Sequence, residues 1–242
     1  MEALSLTTAE AITVEENSVA GICWKTGVRG SKIWMGKLEI GGSVLTPAIT
    51  HRTSQTGLYV LKGEVTIIFD DRMTEEETVY AGDFIFVPSE EHYRLKTFEP
   101  VEMIVSMAPV FQVLYDSEAG KPDADIEIIR ANKLGQEKNP TENMPRLTGV
   151  EASHLWIGRV TGEPNKDSGK HHHGEADTGG YIISGTTRIL FGNNYEQYVD
   201  MKEGDFVHVP PLVPHIERNE DPEISVEFVT TRNPANIVVN LK

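Results

Sequence analysis

The chain is written twice. At an offset of 122 residues, TGVRGSKIWMG from Thr26 lies over TGVEASHLWIG from Thr148, TGLYVLKGEVTIIF from Thr56 over TGGYIISGTTRILF from Thr178, and AGDFIFVP from Ala81 over EGDFVHVP from Glu203. The register runs without a gap from Thr26 to Pro88 and carries Trp34 onto Trp156, His51 onto His173, Tyr59 onto Tyr181, Gly63 onto Gly185 and Asp83 onto Asp205. A match of that length means a duplicated domain of ordinary size, about 100 residues a copy. Whatever fold one half adopts, the other must adopt as well. After Pro88 the register is expected to slip by one, so that His92, closing PSEEH, falls on His215, closing PPLVPH.

Each copy reads as strands. LYVLKGEVTIIF and YIISGTTRILF are rich in β-branched and aromatic residues, and each is broken by a glycine that suits a tight turn. Asp-Asp, Gly-Asn-Asn, Glu-Gly and Pro-Pro turn signals recur at short spacing. The expectation is an all-β chain with a barrel or sandwich in each half. The polar stretch from Asp116 to Pro145 reads as the connection, with IEII inside it as a strand that docks on either barrel. The expected spans are 1–118 for the first barrel, 119–145 for the connection and 146–242 for the second barrel. AITVEENSVAGICW near the N-terminus is strand material for its own or a neighbouring barrel.

A formal net charge of -15 repels phosphate backbones, and no Lys/Arg cluster is interleaved with aromatics, so nucleic acid is not an expected partner. No apolar run is long enough to span a bilayer. The N-terminus lacks a basic stretch followed by an apolar core, and the lone Cys23 has no intramolecular partner, so a cytoplasmic location is expected.

The chemistry concentrates in GKHHHGEADTGGYIISG, Gly169 to Gly185. On a strand, residues i and i+2 share a face, so His171 and His173 project together and His172 points away. Downstream, Gly204, Pro210, His215 and Asn219 resemble the second motif of the cupins, G-x5-P-x-G-x2-H-x3-N, with Leu212 where the pattern has Gly. His171, His173 and Asp177 resemble the first, H-x-H-x3-4-E-x6-G, with Asp for Glu and one extra residue before Gly185. The resemblance implies a bicupin, two tandem double-stranded β-helix (jelly-roll, RmlC-like) barrels. It also implies that His171, His173, Asp177 and His215 hold one divalent metal. Strand parity leaves Glu175 open as the carboxylate instead, and a bulge would bring in His172. Three imidazoles and a carboxylate suit Fe, Mn, Ni, Cu or Zn, and on an octahedral ion they leave two positions for substrate, water or oxygen.

The repeat supplies its own control. The first half has Ile49 for His171, Thr50 for His172, His51 for His173 and Gln55 for Asp177, which leaves His51, His92 and the neutral Gln55 as candidate ligands of a retired site. Residues that differ between copies are the better candidates for chemistry. His208 stands for Phe86 and shares the face of Phe206, as an acid/base group; Arg188 stands for Thr66, as a partner for a substrate carboxylate. Tyr181 offers a hydroxyl to orient substrate, although Tyr59 stands in the other copy.

The functional expectation is a metal-dependent enzyme acting on a small organic molecule in the second barrel, with a dioxygenase favoured by analogy to similar bicupins. The alternatives are a non-redox isomerase, cyclase or lyase, and a non-catalytic small-molecule-binding cupin. Exposed sheet edges and apolar outer faces lead to the expectation of a homodimer.

Overall fold

The computed structural model describes residues 3–70, 72–118, 120–136 and 141–242; Ala119 and residues 137–140 of the expected connection lie outside the described residues. Apart from one short 3-10 turn at Ala131–Lys133, the described secondary structure is strand, and the all-β expectation holds. Among the described residues no helix is long and apolar enough to cross a membrane.

Two seven-stranded sheets form the larger walls of the two barrels. The first runs Glu127–Ile129, Phe84–Val87, Gln55–Lys62, Val101–Ala108, Trp34–Ile40, Ile22–Arg29, Thr13–Val14; the second runs Ser5–Thr7, Phe206–Val209, Asp177–Ser184, Val226–Asn233, Trp156–Gly162, Arg146–Glu151, Gly135–Gln136. The same order of repeats recurs in both, so the duplication seen in sequence is a duplication of topology. Smaller sheets close the barrels, through Ile49–Thr50, His92–Lys96 and Glu64–Phe69 in the first and His171–His172, His215–Asn219 and Thr186–Phe191 in the second.

The opening strand of each repeat is exchanged. Ser5–Thr7 pairs with Phe206–His208 of the second barrel, and Glu127–Ile129, the last three residues of IEII, pairs with Phe84–Phe86 of the first. Asp205 Oδ1 accepts from the Ala9 amide at 3.0 Å, and Asp83 Oδ1 accepts from the Ala131 amide at 2.8 Å. Each aspartate thus ties the other repeat's incoming strand to its own barrel, a structural reason for its presence in both copies. Each exchanged strand forms one edge of the other repeat's large sheet, so residues 5–7 of the expected first barrel pair with the second barrel, and residues 127–129 of the expected connection pair with the first.

Strand pairing also corrects the register. Ile49 lies opposite Tyr93, and His171 lies opposite His215. The 122-residue offset therefore continues past Pro88 and places Tyr93, not His92, at the position of His215. Extra residues enter only after this strand, where Val101–Ala108 matches Val226–Asn233 at an offset of 125. The pleat decides this: the residue that faces inward, rather than the nearest histidine, is the counterpart.

An apolar layer joins the barrels. Val28, Ile33, Met35, Tyr59, Phe84 and Phe86 of the first half pack with Val150, Ile157, Tyr181, Phe206 and Val229 of the second. The Phe206 ring sits directly on Gly27, where an added Cβ would lie 2.3 Å from the ring, and Phe84 sits on Gly149 with the corresponding distance 2.6 Å. Both phenylalanines are fully buried, and burial of each contributes about 1.5–3 kcal/mol. Ser106 Oγ of the first barrel and Thr231 Oγ1 of the second share a hydrogen bond of 2.8 Å.

Candidate metal centre

The interiors of the two barrels differ more than their walls. In the first, Trp24, Ile49, Tyr93, Leu95 and Met107 are fully buried in one apolar cluster. His51 is fixed among them, with Nδ1 donating to the Gln112 carbonyl at 2.8 Å and Nε2 accepting from the Tyr93 hydroxyl at 2.8 Å. Both ring nitrogens are used, so this histidine is a satisfied core residue. At the matching positions the second barrel has Arg146, His171, His215, Glu217 and Arg232, and all of these except His215 line a cavity of about 30 Å³. That is room for about two water-sized groups.

Ring nitrogens of His171, His173 and His215 lie within 4.8 Å of one another, and all three side chains are buried. Each ring uses Nδ1 on a backbone carbonyl: His171 on Gly169 at 2.8 Å, His173 on Ile237 at 3.2 Å, His215 on Val213 at 2.9 Å. With the Nδ1 proton donated to the chain, Nε2 carries the lone pair, the tautomer a metal needs. Burial brings His171 down to about 4. Burial, and then the positive charge of Arg232, hold His173 well below its ordinary 6.5. Both are therefore neutral near neutral pH. His215 Nε2 makes no hydrogen bond and lies 3.4 Å from Glu217 Oε1. These residues fit a divalent ion. The described residues hold no second cluster of this kind.

Two guanidinium groups face the same cavity. Arg232 Nη2 lies 3.5 Å from His173 Nε2, with its Cζ 5.2 Å from the centre of the Trp156 ring. Arg146 donates to Asn236 Oδ1 and Thr141 Oγ1, both at 2.8 Å. Each is 3% exposed.

Residues 158–232 match the cupin domain family. No curated protein sequence matches the chain. Solved structures do: an oxalate decarboxylase of Lactobacillus farciminis in complex with formate, at 11% identity, covers 100% of this chain and 89% of its own with a TM-score of 0.76. A Bacillus subtilis oxalate decarboxylase studied for its Mn(II) centres, at 13% identity, covers 98% of this chain and 79% of its own with a TM-score of 0.73. The fold is that of a bicupin.

In this bicupin the three expected histidines come together and the expected acid does not. Thr178 and Gly180 line the cavity, so Asp177 and Tyr181, which alternate with them, face the first barrel. Asp177 accepts from His208 Nε2 at 2.5 Å, from the Lys32 amide at 2.8 Å and from the Ser31 hydroxyl at 3.1 Å. Gln55, its counterpart, likewise accepts from the His154 amide at 3.0 Å and donates to Ser153 Oγ at 3.0 Å. The position belongs to the seam between barrels in both copies. Glu175 is exposed, and His172 uses Nδ1 to accept from the Gly174 amide at 2.9 Å, so neither joins the cluster.

The three residues expected to assist catalysis are also elsewhere, for the same reason. Val207 and Val209 face the cavity, which turns Phe206 and His208 to the seam. Tyr181 packs on Phe206 with ring centres 4.8 Å apart. Arg188 alternates with the cavity-lining Ile189, points outward, binds Asp200 at 2.7 Å and stacks over Tyr198. In the first barrel, Gln55 is at the seam and Tyr93 faces His51, so no histidine pair with Gln55 assembles there. Glu217, Arg146 and Arg232 were missed. Strand parity two residues beyond His215 marks Glu217, and the 122-residue offset sets Arg146 against Trp24. Arg232 shows against Met107 only once the offset of 125 is known.

Proposed function

We propose that the second barrel is the active site of a metal-dependent enzyme acting on a very small anionic organic molecule. The observation that carries this reading is the convergence of three buried imidazoles whose Nδ1 atoms are all committed to backbone carbonyls. A divalent metal held there would polarise a substrate oxygen or, as iron, support oxygen chemistry. The small cavity limits the substrate to a few non-hydrogen atoms. Arg146 and Arg232 suit a carboxylate, because a planar guanidinium presents paired N–H donors to it. The apolar walls, Val207, Val209, Ile189 and Phe228, exclude bulk water and strengthen those contacts. Similarity to oxalate decarboxylases, one of them described with Mn(II), supports a carboxylic acid as substrate and a non-redox or decarboxylating reaction beside the dioxygenase first expected. The first barrel serves as scaffold, and a cytoplasmic homodimer completes the proposal.

The test is elemental mass spectrometry on untagged protein, wild type and His173→Ala/His215→Ala, followed by turnover assays on one- and two-carbon carboxylic acids. About one equivalent of metal, lost in the variant, with turnover of an acid is the expected result. Iron with oxygen consumption selects the oxygenase branch; manganese, zinc or nickel with anaerobic turnover selects the non-redox branch. Absence of bound metal after reconstitution overturns the reading, and saturable binding without turnover under any metal makes the protein a binder.

A further inference from the structure

We infer that Glu217 supplies the carboxylate of this metal site, from the strand of the second motif rather than from the first motif. The inference rests on the metal-dependent reading and concerns which side chains complete the site.

Glu217 lies two residues beyond His215 on the strand His215–Asn219, so both side chains enter the barrel from one face. Its Oε1 is 3.4 Å from His215 Nε2 and its Oε2 is 3.8 Å from His171 Nε2. Nδ1 of each ring is engaged by a backbone carbonyl, so the three Nε2 atoms and the carboxylate are the groups that converge to bind a shared ion. Among them Arg232 Nη2 reaches only His173 Nε2, at 3.5 Å, whereas a divalent cation at the centre would engage the imidazoles and the carboxylate together. The carboxylate is also held in place: the Ser168 hydroxyl donates to Oε2 at 2.7 Å and accepts from the Glu217 amide at 2.9 Å. Ser168 is thus a positioning residue for Glu217.

The duplicated barrel points the same way. Where His171 and His215 are replaced by Ile49 and Tyr93, Glu217 is replaced by the fully buried Leu95. The carboxylate disappears together with two of the three imidazoles, as members of one site would, while His51 keeps the place of His173 as a core residue. Asp177, by contrast, has both oxygens engaged at the seam, Oδ1 by His208 of its own barrel and Oδ2 by Ser31 and Lys32 of the first. Bringing it to the histidines would require the strand Asp177–Ser184 to slip by one residue, which would turn every side chain on it to the opposite face.

The experiment titrates metal-stripped, untagged protein with Co(II) and with Mn(II), reading affinity by calorimetry and ligand field by the visible absorption of the cobalt form. Wild type is expected to bind one equivalent. Glu217→Gln should weaken binding by about tenfold or more and alter the cobalt spectrum, Ser168→Ala should weaken it less, and Asp177→Asn should leave affinity and spectrum unchanged. If the Gln variant is unfolded by near-UV dichroism, Glu217→Leu replaces it, since the first barrel packs a leucine at this position, and it must likewise lose affinity. A wild type that binds no metal overturns the metal reading as a whole. A wild type that binds, with Glu217 variants of equal affinity and identical spectrum, or with the loss found in Asp177→Asn instead, overturns the assignment of Glu217 alone.

Discussion

Asp177 Oδ1 and His208 Nε2 lie 2.5 Å apart on the face of the second barrel that meets the first, where the other copy has Gln55 and Phe86. Both are buried, and the amide of Lys32 and the hydroxyl of Ser31 complete the shell of the carboxylate from across the seam. The pair therefore acts as a polar latch between barrels. Replacing one partner leaves the other buried without its complement, so Asp177→Gln or His208→Phe alone is expected to cost about 3–5 kcal/mol. The double variant Asp177→Gln/His208→Phe copies the first barrel's pairing and should cost less than the sum of the two. Urea denaturation of the four proteins measures this, and strict additivity would count against the latch.

The seam also depends on two glycines. A methyl group at Gly27 or Gly149 would enter the ring of Phe206 or Phe84. Gly27→Ala and Gly149→Ala are each expected to destabilise by about 1–3 kcal/mol through overpacking, lowering the melting temperature by about 2–4 °C per kcal/mol in a chain of this size. Differential scanning calorimetry on each variant decides it; a melting temperature equal to that of wild type would mean that the rings shift freely.

Acid should destabilise the first barrel through His51. Burial brings this ring down to about 4 from its ordinary 6.5. The unfolded chain therefore binds the proton first as pH falls, so the contribution of neutral His51 is fully present above 6.5 and is lost as pH falls toward 4. The loss over that window is on the order of 3 kcal/mol. Denaturant midpoints at several pH values should show a shallower acid slope in His51→Gln than in wild type, and parallel slopes would refute the assignment.

Arg232 is expected to matter for the substrate rather than for the metal. Arg232→Met installs the residue that the first barrel carries at Met107. If the guanidinium receives a substrate carboxylate, its loss should weaken binding of small acids by about tenfold or more, the scale of one charge-assisted hydrogen bond. Metal stoichiometry should remain that of wild type. Competition titration with a panel of small carboxylates on the metal-loaded protein separates the two effects.

The sequence by itself determined the all-β class, the duplication, the cupin pattern and the three histidines. These are legible because repeats and strand periodicity are local properties, and because His171 and His173 stand two apart on one strand while His215 keeps its distance from Gly204 and Pro210. Local pattern could not say which face of a strand looks into the barrel and which looks toward the other barrel, because both faces are buried and both are apolar. Asp177, Tyr181 and His208 were therefore placed at the metal although they line the seam. Glu217, Arg146 and Arg232 went unnoticed although they line the cavity. Only the closure of the barrels, the exchange of the strands Ser5–Thr7 and Glu127–Ile129, and the pleat register decided the matter. A shift of one residue along a strand exchanges its two faces, and tertiary pairing alone excludes that shift.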